Sequence, residues 1–157
     1  MTNTELFNSI KTGLLRPDGT NWTMAAGTGD TLNSDALAIT GFEEVAIKFA
    51  TGAMTATGTL DAKLQVSSDG GSTWADVVGG ALTQILAASG ANKIYGWDAI
   101  RVKPGVTHIR AVLTRATANV VITSMTYYLA APRTWPVTQP TGTGGVGQLK
   151  MLINPSN

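Results

Sequence analysis

Leu60-Asp61-Ala62-Lys63-Leu64-Gln65-Val66 alternates apolar and polar residues at every step. Successive strand side chains point to opposite faces, so Leu60, Ala62, Leu64 and Val66 share one face and Asp61, Lys63 and Gln65 the other. A helix would scatter the same apolar set around its axis. The same period recurs on both sides of this stretch. Val45, Ile47 and Phe49 form the inward set of residues 42–50, with Glu44 and Lys48 outward. Ile100 and Val102 repeat it with Arg101 and Lys103 outward, before Pro104-Gly105 turns the chain. In residues 106–115, Ile109, Ala111 and Leu113 lie inside, which leaves His108 and Arg110 on the other face. Residues 119–129 are β-branched and aromatic, but their two faces are less clearly distinguished.

Turn signals separate these runs: Asp18-Gly19, Thr28-Gly29-Asp30, Thr51-Gly52, Asp69-Gly70-Gly71, Gly79-Gly80, Ser89-Gly90 and Pro104-Gly105. Short strands, frequent Gly-rich turns and no long helical pattern predict an all-β fold, an antiparallel, jelly-roll-like β-sandwich. A short helix is expected over residues 4–11, where Thr2 and Glu5 have capping-box spacing and Leu6 shares a face with Ile10.

Texture divides the chain into a polar N-terminal segment (1–33), a strand-rich sandwich domain (34–130) and an extended Pro/Gly-rich C-terminal arm (131–157). The arm holds Pro132, Pro136, Pro140 and Pro155 and the run Gly142 to Gly147, which excludes a continuous helix or a central strand. It ends in Leu149-Lys150-Met151-Leu152-Ile153, an apolar patch too small to fold alone. Such a patch either packs back on its own sandwich or reaches a neighbouring subunit. The Gly-rich spacer favours reach. Trp135, between Pro132 and Pro136, is the expected interface anchor at the root of the arm, with Leu149, Met151, Leu152 and Ile153 at its end.

Length and composition bound what such a chain does. At 157 residues and 16.3 kDa it fits one domain. Zero Cys removes disulfides, thiolate zinc sites and cysteine nucleophiles together. Met1 to Phe7 lacks a basic segment followed by an apolar stretch, and no run of about 18 apolar residues occurs, so neither standard secretion nor membrane spanning is expected. Charged residues make up 13% of the chain, against about a quarter in an average soluble domain. Thr, Ala, Gly, Ser and Asn take their place, side chains with little entropy to lose when another subunit covers them. A monomer with a neutral, Thr-rich surface is the other reading. Net charge is +1, which gives no footprint for nucleic-acid binding.

Motifs for chemistry are sparse. Ser67-Ser-Asp69-Gly-Gly71-Ser-Thr73-Trp74 fits the S-x-D-x-G-x-T-W pattern called the Asp box, in which Ser67, Asp69, Gly71, Thr73 and Trp74 build a structural hairpin turn. Sialidase propellers repeat this box from blade to blade. Here it occurs once, which excludes a propeller and leaves a fold element. His108 is the single histidine and has no carboxylate near it in sequence. Glu43 and Glu44 are adjacent and so point to opposite faces of a strand, which cannot make an acid/base pair. Asp30 and Asp35 lack EF-hand spacing, and Gly142 to Gly147 lacks the Lys and helix of a phosphate loop. No catalytic residue, metal site or cofactor is expected. Trp22, Trp97 and Trp135 lie near turns or outside the expected strands, where exposed rings can stack on sugars.

The stretch Asp35 to Leu129 resembles a family of small β-sandwich virion proteins of tailed bacteriophages. The resemblance is carried by Ile39 to Phe49, Leu60 to Trp74, Ile100 to Val102, His108 to Val112 and Asn119 to Ile122, about three fifths of the chain. It implies virion structure without fixing the position, and the expectation adopted is a non-enzymatic structural protein that decorates or cements the capsid, made in the host cytoplasm and located in the virion. Its implied partners are copies of itself, as a trimer or dimer, and the major capsid protein, with no nucleic acid and no membrane. A head–tail connector or tail component is the first alternative, a glycan-binding adhesin module the second.

Overall fold

The computed structural model describes residues 9–15, 22–25, 31–134 and 136–140. Its strands are β1 (Lys11–Leu14), β2 (Trp22–Met24), β3 (Thr31–Asn33), β4 (Leu37–Ala38), β5 (Phe42–Met54), β6 (Thr59–Ser67), β7 (Ala75–Asp76), β8 (Ile85–Leu86), β9 (Ile94–Arg101), β10 (His108–Ala116) and β11 (Val120–Pro132). A helical turn, α1 (Ala87–Gly90), lies between β8 and β9. The first sheet has the order β1-β11-β5-β9, with β2 also on β11. The second has the order β3-β10-β6-β7, with β4 also on β10 and β8 on β6. Every pairing is antiparallel. The long strands β5, β6, β9, β10 and β11 change sheet at each step along the chain, so the sandwich closes through non-local contacts.

Burial follows the alternation. Leu60, Ala62 and Leu64 on β6, Val45, Ile47 and Phe49 on β5, and Ile109, Ala111 and Leu113 on β10 are all at most 3% exposed and meet in one core. Full burial of each large aliphatic side chain stabilises by roughly 1.5–3 kcal/mol. Val66, Ile100 and Val102 pack against this core from its rim.

The indistinct faces of residues 119–129 have a physical cause. Val120 and Ile122 point inward, and so do Met125, Tyr127 and Leu129, which requires the phase to change between them. The register of β11 on β5 shifts twice, between Val120 and Ile122 and again between Ile122 and Ser124. A bulge adds a residue to one strand and moves every later side chain to the other face. A third bulge lies in β9. Ile47 faces Trp97 and Val45 faces Ile100, so two residues, Asp98 and Ala99, stand opposite Ala46 alone, and Ala99 has a φ of 49°.

Three expectations are corrected. Thr51-Gly52 is not a turn, because β5 continues through it to Met54. A Cβ on Gly52 would lie 2.9 Å from the Thr123 methyl carbon, so the glycine marks the close approach of bulged β11 rather than a reversal. The chain turns instead at Thr55 to Gly58, where the Gly58 N–H donates to the Thr55 carbonyl. Within the helix expected over residues 4–11, Ser9 is helical, but Lys11, expected to end it, is the first residue of β1 and pairs with Leu129; residues 4–8 lie outside the described residues. The expected boundaries at 33/34 and 130/131 do not separate the ends from the sandwich. Before the first, β1 and β2 pair with β11 and β3 with β10; at the second, β11 continues to Pro132. Apolar residues of the segment, among them Leu15, Trp22 and Met24, are core.

Candidate assembly surfaces

The tight turn after β6 is built around one carboxylate. Asp69 accepts from the Ser67 hydroxyl at 2.6 Å, the Thr73 hydroxyl at 2.6 Å, and the Thr73 and Ser72 backbone N–H groups at 2.9 and 3.1 Å. Gly70 and Gly71 have φ of 78° and 94°, the left-handed region that favours glycine. The Ser67 oxygen accepts from the Gly71 N–H at 2.8 Å and closes the loop. Trp74 is covered on one side by the Arg110 guanidinium, 4.3 Å from the ring centroid, and approaches Gly71 on another. Arg110 is itself fixed by two hydrogen bonds to Gln65 Oε1.

The donors, first the Ser67 hydroxyl and then Thr73, hold the Asp69 carboxyl far below the usual carboxylate range. A depressed folded-state pKa contributes stability that is complete above the unfolded value near 3.8 and is lost as pH falls through the folded value. Asp69 is therefore expected to stay ionised at about pH 3, where an ordinary aspartate is mostly protonated. Its carboxyl carbon shift followed by NMR checks this, and a midpoint at the ordinary value would remove the role given to the donors.

Trp22 and Trp97, expected near turns or outside the strands, stand on β2 and β9 and are core residues at 6% and 8% exposure. Trp97 stands on β9, tilted against Phe49 with centroids 5.9 Å apart, and its indole N–H donates to the Gly80 carbonyl at 2.8 Å. Trp22 pairs through β2 with Ile122. Neither ring has a face for a sugar, because the β9 bulge and the β2–β11 pairing turn both inward. Trp135, Leu149, Met151, Leu152 and Ile153 lie outside the described residues.

The other candidates are placed without being brought together. His108 is partly buried and its Nδ1 lies 3.1 Å from the Thr107 hydroxyl. Glu43 and Glu44 approach different arginines, Arg133 at 3.8 Å and Arg101 at 4.0 Å. Asp35 follows β3, and Asp30 lies outside the described residues. Among the described residues no group of three or more His, Asp or Glu could hold a metal ion, and no helix is long and apolar enough to cross a membrane.

Two surfaces and one clamp were not legible in the sequence. The outer face of the first sheet is a shallow hollow floored by Ala46, Ala50, Ser124 and Thr126. Ile94, 74% exposed, and Tyr128, 42% exposed, stand at it, and Ile10 also lines it. Lys48 and Asp98, the charged residues of this hollow, are paired with each other. An aliphatic crevice opens between the sheets on the β7 and β9 side, lined by Val45, Val66, Val77 and Val102, with Arg101 and Lys103 among its charged residues.

The clamp is Gln139. Its side-chain N–H donates to the Ile10 carbonyl and its Oε1 accepts from the Thr12 N–H at 3.2 Å. One amide side chain thus occupies backbone groups at the edge of β1, as a neighbouring strand would. Residues 136–138 lie beside Thr40 to Phe42 and Pro132. The root of the arm is therefore fastened to the sandwich.

No protein-family model matches the chain, and no curated protein does. Solved structures do share its fold. A chain in the structure of infectious bursal disease virus, Gx strain, superposes with a TM-score of 0.56 at 11% identity, over 81% of this chain and 33% of that one. The Gt strain of the same virus gives 0.54 at 10% identity over 81% and 34%. The VP2 subviral particle of that virus gives 0.52 at 12% identity over 81% and 33%. The chain spans about a third of the length of these neighbours.

Proposed function

We propose that this chain is a non-enzymatic structural protein of a virion, most specifically a decoration or cement protein of a tailed-bacteriophage head. The observation that carries the reading is an antiparallel sandwich, shared in fold with chains of virus particles, whose first sheet turns outward a face of small residues with its charges paired internally. Such a face costs little entropy and little desolvation to cover. Its partners are then copies of itself, as a trimer or dimer, and the major capsid protein. The mechanism is mechanical: area buried across subunit boundaries opposes outward pressure on the shell, and modest energies multiply over many copies.

In this reading residues 141–157 are the outer part of an assembly arm. Trp135 anchors its root, and Leu149, Met151, Leu152 and Ile153 engage a neighbour. Deleting Thr141 to Asn157 is expected to leave the sandwich folded, because the Gln139 clamp and every described strand are retained. The truncated protein should then bind particles at least about tenfold more weakly, a loss of ~1.4 kcal/mol. Titration of particles lacking the protein measures this, and saturation as tight as that of the intact chain would overturn the arm. Copy number per particle separates the shell from the alternative at the head–tail junction or tail. Many copies spread over the head support cementing, whereas a single ring of copies on the tail axis replaces it with the connector reading.

A further inference from the structure

We infer that the hollow on the outer face of the first sheet is the receptor for the segment Leu149–Ile153 of a neighbouring copy. The inference rests on the assembly reading and adds to it the surface that receives the arm.

Position is the first argument. Residues 136–138 lie beside Thr40 to Phe42, and Gln139 then bonds at Ile10 and Thr12, so the chain runs along the outer edge of β1. Pro140 fixes its own φ and holds Gln139 extended. The last described residues therefore lie along that edge, where a subunit placed against β1 would meet the arm.

Reach is the second. The spacer Thr141 to Gln148 is eight residues, which span up to ~26–29 Å when extended and ~14–17 Å as a flexible coil. A four-stranded face is about 14 Å wide, three spacings of ~4.8 Å. The segment can cross the face of an adjoining copy without strain.

Chemistry is the third. An extended Leu149-Lys150-Met151-Leu152-Ile153 puts Leu149, Met151 and Ile153 on one side. The hollow offers alanine methyls between Ile94 and Tyr128, and its Lys48–Asp98 pair presents no net charge to an apolar strip.

The chain has no cysteine, so introduced thiols report one contact at a time. Ile94→Cys and Met151→Cys are made singly in full-length protein, one preparation carrying a mass tag, then mixed and oxidised. A disulfide requires Cα atoms within about 7 Å. The expected result is a disulfide dimer of mixed mass, formed much faster than with Val78→Cys, a more accessible site beside the crevice at 98% exposure. Ala50→Arg, which fills the hollow with a charged side chain, should abolish the link while the circular dichroism and melting temperature stay those of the parent. Three results overturn the inference: thiols that stay free, equal reactivity of Val78→Cys, or an Ile94→Cys/Met151→Cys double variant that closes only within monomers. Particle binding by the unmodified chain is scored separately. Binding without the link removes only this inference, and the link without binding removes only the virion reading.

Discussion

Replacing Trp97 by alanine is expected to remove about 3–5 kcal/mol of stability, roughly a fifth or more of the 5–15 kcal/mol that a domain of this kind holds. The indole is 8% exposed, lies against Phe49, and stands on β9 at the edge of the first sheet. Its N–H reaches the carbonyl of Gly80, in the loop after β7 at the edge of the second. One side chain thus fills core volume and ties the two sheets together on their open side. Alanine leaves a void that surrounding strands, fixed by their ladders, cannot collapse into. The lost hydrogen bond is the smaller part, since the Gly80 carbonyl also accepts from the Leu64 N–H at 3.2 Å. Trp97→Phe, which keeps most of the ring, should therefore cost only about 1–3 kcal/mol. Urea midpoints at unchanged slope measure both. If Trp97→Ala unfolded at the parent midpoint while losing attachment to a host surface, the burial described above would be wrong and the adhesin reading would return.

Trp97 also shows why part of the fold was legible and part was not. Period-two alternation locates strands wherever the ladder is regular: Leu60 to Val66, Val45 to Phe49 and Ile109 to Leu113 take the faces the pattern gives them. Extending Ile100 and Val102 backwards at the same period turns Trp97 outward. The bulge at Asp98 and Ala99 reverses that phase, and no composition signal marks it, since Ala99 adopts positive φ without being glycine. The bulge in β11 between Ile122 and Ser124 blurred residues 119–129 in the same way. Glycine misled at Gly52 for a related reason: a residue chosen for close packing in a strand looks identical to one chosen for a turn. The short strands β1, β2 and β3 are held by partners about a hundred residues away, which no local window contains. The hollow and the Gln139 clamp join residues of four strands and the arm, so they exist only once the topology does.

Gly96 carries the second large effect. A Cβ built there lies 2.1 Å from the Ile47 carbonyl oxygen and 2.8 Å from the Lys48 Cα, both backbone atoms of β5. Side chains can rotate out of a clash, but these atoms belong to the ladder itself. Gly96→Ala must therefore push β9 off β5, and the loss should reach or exceed the ~3 kcal/mol upper range of ordinary overpacking. The cost is steric: Gly96 is absent from the glycines with positive φ, so backbone strain adds nothing. Gly52→Ala is the matched control. Its new methyl meets the Thr123 and Val121 side chains at 2.9 Å and beyond, and those have room to adjust. It should cost distinctly less. Denaturant midpoints give the order, and amide exchange locates it, with protection lost first along β9 and the facing half of β5 in the Gly96 variant. Because β9 carries Ile94 and Asp98, the same displacement deforms the outer hollow. Any Gly96→Ala protein that stays folded should then fail to form the Ile94–Met151 link that the parent background supports. A variant as stable as the parent would mean that β9 does not sit against β5 as described, and the hollow would lose one wall.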